Sequence, residues 1–149
     1  MSQHKFTEQE KQALRNKAKV ELERLETLLK NQETEQLLDE FKNKFNICET
    51  VYKIFLKEHQ KQKGKKVNEY PKVDMKQVPY ALKFAGYDFD KELLNNLFGS
   101  TSDKGTTVKK LRDAVTHGIS DKAVNEIINR KDELFGYMNS FLNTIKTFD

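Results

Sequence analysis

The chain reads as an all-α protein, an antiparallel four- to five-helix bundle in one domain over residues 1–149. Three observations predict this. Apolar residues recur at steps of three and four along most of the chain, the spacing that gathers them on one helical face. Helix breakers are few, with 2 Pro and 6 Gly in 149 residues. No stretch shows the alternation of a half-buried strand.

The first helix starts near Thr7, which caps the backbone with Glu10 three residues later in the capping-box position. Leu14, Ala18, Leu22, Leu25 and Leu29 follow on one face, with Lys, Arg and Glu on the other. Asn31 and Gln32 mark a break before a second helix. That helix carries Leu37, Phe41, Phe45, Cys48, Tyr52 and Phe55, a stripe widened by Leu38, Val51 and Ile54. It ends in a basic loop around residues 57–66, where five lysines and Gly64 stand together.

Residues 67–103 form an irregular segment. Pro71 and Pro79 push the residues before them toward extended conformations. A short helix is expected from Pro79 to Ala85, ended by Gly86. Another is expected over residues 91–98, capped by Asp90 and closed by Gly99. Residues 99–105 are loop by composition. A helix then runs from Thr107 to His117, with Thr106 as cap and Gly118 in the left-handed position that ends helices. The last helix opens at Ser120 and carries its stripe from Val124 through Phe148. The stripes on the second and last helices exceed what one bundle interior needs, which predicts a homodimer.

Composition narrows the function. No apolar run is long enough to cross a membrane, and the first residues lack a signal peptide's apolar core. The chain is therefore expected in the cytoplasm, with no membrane partner. The single cysteine, Cys48, allows neither an internal disulfide nor a cysteine-based zinc cluster. It lies on an apolar stripe and is expected to be core. The net charge of +4 is uneven: residues 57–83 hold 8 Lys against 3 acids, whereas residues 84–103 hold 1 Lys against 4 acids. The basic segment suits a polyanion, though a solvated loop is the plainer reading. Tyr70, Tyr80, Phe84, Tyr87 and Phe89 can stack on bases or fill a core beneath a loop; the core reading is preferred. His4 and His59 show no chemical partner in the sequence.

The stretch Leu111-Arg112-Asp113-Ala114-Val115-Thr116-His117-Gly118 is where chemistry is concentrated. Arginine grips phosphate with a rigid fork of donors. Histidine moves protons near neutral pH, with a reference pKa of about 6.5. RNA cleavage by its own 2′-hydroxyl needs two proton transfers and a neutralised phosphorane, which Arg112 and His117 can supply without metal or cofactor. Asp113, four residues before His117, is placed to accept the imidazole N–H. Lys109 and Lys110 add positive charge for substrate binding. Positions five apart on a helix diverge by about 140°. Arg112 and His117 therefore need a second copy to complete one site.

This stretch resembles the signature of the HEPN superfamily: Arg, a polar residue, a short spacer, then His, often with Gly after it. The resemblance covers about eight residues and departs at one position, with Asp113 where Asn is most frequent. It implies a small, dimeric helical bundle acting as a metal-independent endoribonuclease in toxin–antitoxin or phage-defence systems. Arg112 and His117 become the catalytic pair and Asp113 their orienting residue. RNA and an antitoxin or regulatory protein are the implied partners. The competing expectation is a non-catalytic helical module that binds a protein or nucleic acid.

Overall fold

A computed structural model describes residues 6–64, 77–100, 105–118 and 120–148. Tyr70, Pro71, His4 and most of the expected loop over residues 99–105 lie outside them. All regular structure among the described residues is α-helical: α1 (Glu8–Gln62), α2 (Val78–Phe84), α3 (Lys91–Phe98), α4 (Val108–His117), α5 (Asp121–Asn129) and α6 (Lys131–Thr147). The chain falls into two compact units, Met1–Leu37 and Leu38–Asp149, and α1 contributes residues to both.

Most helix ends follow from their caps. The Thr7 N–H donates to Glu10 Oε1 at 3.2 Å and the Glu10 N–H to Thr7 Oγ1 at 3.1 Å, a reciprocal capping box. Asp90 accepts from the Glu92 N–H, and Ser120 caps α5. Gly86 ends the α2 turn with φ +98°, a backbone region that suits glycine.

Four expectations require correction. The break at Asn31 and Gln32 is absent, because neither residue removes a helical hydrogen bond and α1 continues through both. The expected last helix is two, parted at Arg130, whose φ of −107° and ψ of 18° leave the helical path. There Arg130 donates to the Thr106 carbonyl at 2.8 Å and pairs with Glu126 and Glu133, both at 2.9 Å. The cap of α4 is Thr107 rather than Thr106. Its buried hydroxyl accepts from the Lys110 N–H and donates to the Gly99 carbonyl at 2.7 Å, tying the end of α3 to the start of α4. Gly118 has φ 173°, which is extended rather than left-handed.

In the unit Met1–Leu37, none of residues 6–37 is buried. The unit Leu38–Asp149 holds the core. Phe41, Phe45, Cys48, Tyr52 and Leu56 of α1 are at most 1% exposed. Phe98 of α3 sits among them, its ring centroid 5.4 Å from Tyr52 and 5.6 Å from Phe141 of α6. The expected aromatic cluster divides. Tyr87 packs on Phe55 and Phe148, and Phe89 stacks on Phe141 at 5.1 Å, so these two are half-buried against the core. Tyr80 and Phe84 are exposed.

Candidate functional site

α4 presents the motif because its apolar positions leave it no other rotation. Val108, Leu111 and Val115 are buried at steps of three and four, which turns Arg112, Thr116 and His117 away from the interior. The facing residues come from α1. Its buried stripe at Phe41, Phe45 and Cys48 is flanked by Asp39, Lys42, Asn43 and Asn46, a polar row at the same spacing. Between the two helices lies an open cavity of about 450 Å³, lined by Asp39, Lys42, Asn43, Asn46, Arg112, Asp113, Thr116 and His117.

Arg112 is the most constrained member. Its Nε donates to Asp113 Oδ1 at 2.9 Å, Nη1 to Asn46 Oδ1 at 2.7 Å and Nη2 to Glu49 Oε2 at 3.1 Å. The guanidinium carbon lies 4.7 Å from the Phe45 ring centroid, within cation–π range. The side chains of Arg112 and Glu49 are only 16% and 18% exposed, so this pair is better shielded than a surface ion pair. A guanidinium carries five N–H donors. Three are used here, which leaves one hydrogen on each terminal nitrogen.

Arg112 and His117 thus line the same cavity within one chain, despite their divergence around the helix axis. The groove is wide enough to take in both. The expected pairing of Asp113 with His117 is replaced: the Asp113 carboxylate accepts from Arg112 instead. His117 is exposed at the last residue of α4. Lys109 and Lys110 do not line the cavity, whose lysine is Lys42. Asp39, Lys42, Asn43, Asn46 and Glu49 were not among the expected site residues. Their signal was present as a polar row beside the apolar stripe of α1, but such a row also describes any solvated helix flank.

Elsewhere, Cys48 is sealed in the core, with Sγ 4.0 Å from the Met138 carbonyl. Burial pushes its thiol up to about 12, well above the reactive range. Partial burial and the Glu133 carboxylate, bonded at 2.6 Å, likewise push the Tyr137 phenol up to about 12. The ring of His59 lies 5.2 Å from that of Phe84. Among the described residues, no three His, Cys, Asp or Glu side chains converge to hold a metal ion, and no helix is long and apolar enough to cross a membrane. Set against family models, curated proteins and solved structures, the chain matches none.

Proposed function

We propose that the chain is a metal-independent endoribonuclease of HEPN type that works through Arg112 and His117. The observation that carries this reading is the single open cavity both residues line. An exposed imidazole there can take the proton of a ribose 2′-hydroxyl as its oxygen attacks phosphorus. The bond from phosphorus to the 5′-oxygen breaks, and a proton goes to that oxygen. The products are a 2′,3′-cyclic phosphate and a 5′-hydroxyl. The two remaining N–H groups of Arg112 suit the equatorial oxygens of the phosphorane. Asp113 and Glu49 fix the guanidinium, and Asn43, Asn46 and Lys42 offer contacts to sugar and phosphate. In this reading the working form is a cytoplasmic homodimer, held in check by an antitoxin or regulatory protein in toxin–antitoxin or phage-defence systems.

One observation favours a second reading. Three of the five Arg112 donors are spent on the protein, and two carboxylates stand beside the position a phosphate must take. A non-catalytic module, in which Arg112 only ties α4 to α1, has the same geometry. Incubating RNA with the purified protein in EDTA separates the two. The enzyme reading expects cleavage that persists in EDTA and falls roughly 10²- to 10⁴-fold in His117→Ala. Equal cleavage by wild type and variant, or cleavage abolished by EDTA, removes that mechanism. No cleavage at all selects the binding module.

A further inference from the structure

Among the described residues of the unit Met1–Leu37, an apolar stripe has no second element to cover it. Leu22, Leu25 and Leu29 are 55%, 49% and 57% exposed, and Leu14 and Leu28 are exposed beside them. With Ala18, the residues Leu22, Leu25 and Leu29 follow the alternating four–three spacing of a coiled-coil seam. Continued at the same steps, the seam meets Gln32 and Gln36, so it ends inside this unit. Long helices draw most of their stability from packing an amphipathic face, and here that face is open to solvent.

The flanking charges say what covers it. Residues 6–37 hold six basic and seven acidic side chains, which gives neither a polyanion nor an anionic membrane a reason to bind. The distribution is instead self-complementary in one orientation. In a parallel pair of copies, Glu21 of each faces Glu26 of the other, two like-charge contacts. In an antiparallel pair with Leu22 opposite Leu25, Ala18 meets Leu29 and Lys19 faces Glu26, twice by symmetry. Glu21 is then free of the facing acid and keeps its own partner, Arg24, at 2.6 Å.

We propose that residues 18–29 form an antiparallel two-helix coiled coil with the same segment of a second copy, centred between Glu23 and Arg24. The pairing stands independently of the cavity on α4 and of any chemistry there.

Sedimentation equilibrium of the full chain over a concentration series tests it. Wild type associates, and Leu22→Glu with Leu25→Glu weakens association roughly a hundredfold or more, because two leucine layers are lost. Lys19→Glu, which sets Glu against Glu26, weakens association by about tenfold, and Lys19→Glu with Glu26→Lys restores it to within about twofold. The charge exchange retains every apolar contact, so its recovery does not depend on how the leucine variant folds. A self-association as strong in the leucine variant as in wild type belongs to another surface and overturns the proposal. Failure of the double charge exchange to restore overturns the antiparallel register. A monomeric wild type overturns the proposal and leaves the stripe to the helix of a different protein.

Discussion

Helix α1 holds two stretches of nearly the same pattern with opposite fates. Leu22, Leu25 and Leu29 are about half exposed, while Phe41, Phe45 and Cys48, spaced by the same steps, are fully buried. Periodicity states that a helix forms and which face is apolar. It does not state what meets that face. In the unit Leu38–Asp149 the face is met by Phe98, Phe135 and Met138, and the helix becomes part of a core. Among the described residues of the unit Met1–Leu37 there is no second element, and the same grammar leaves a surface.

The contrast can be broken by substitution. Phe41→Ala should cost about 3–5 kcal/mol in chemical denaturation, since a large side chain is removed from a site with no solvent exposure. Leu25→Ala, measured at concentrations where copies do not associate, should leave that transition within about 0.5 kcal/mol. Equal costs would mean that both stripes are covered alike.

Ion pairs should divide the same way. Glu49→Ala removes one of the two carboxylates paired with the shielded Arg112 guanidinium and should destabilise by roughly 1–2 kcal/mol. Glu21→Ala breaks the 2.6 Å pair with Arg24, whose partners are 54% and 59% exposed, and should not move the transition measurably.

Alkaline pH should act on the core-bearing unit. Cys48 is raised to about 12 in the folded chain and titrates near 9 when exposed. The folded state therefore binds more protons between these values, and its stability falls as pH rises through them. Stability due to Cys48 is complete below about pH 9 and should be lower by about 1 kcal/mol at pH 10. Cys48→Ala should flatten the dependence, with the Tyr137 contribution remaining. A pH profile identical in wild type and Cys48→Ala would show that the thiol is open to water. The smallest effect expected is from Thr7→Ala, which removes one side of the capping box. It should fray the start of α1 in amide exchange without changing the global transition.

Much of the fold was legible because its signals are local. The Thr7, Asp90 and Ser120 caps, and the buried stripe of α1, follow from spacing and side-chain chemistry alone. The failures are tertiary. Asn31 and Gln32 interrupt the apolar stripe and so suggest a break, yet nothing local compels one there. The parting of α5 from α6 rests on Arg130 reaching back to Thr106 and carries no Pro or Gly to announce it. The motif residues Arg112 and His117 were legible, but the surroundings of Arg112 were not. Asn46 and Glu49 stand more than sixty positions earlier in the chain, and only folding brings them to the guanidinium.

The burial of Cys48 has a practical consequence. It is the only thiol in the chain, and packing holds it protonated and out of reach of thiol reagents at neutral pH. The native sequence already serves as a silent background for site-directed labelling. A spin label or fluorophore on a cysteine introduced at an exposed position of α1 will report from that position alone, with no need to disturb the core.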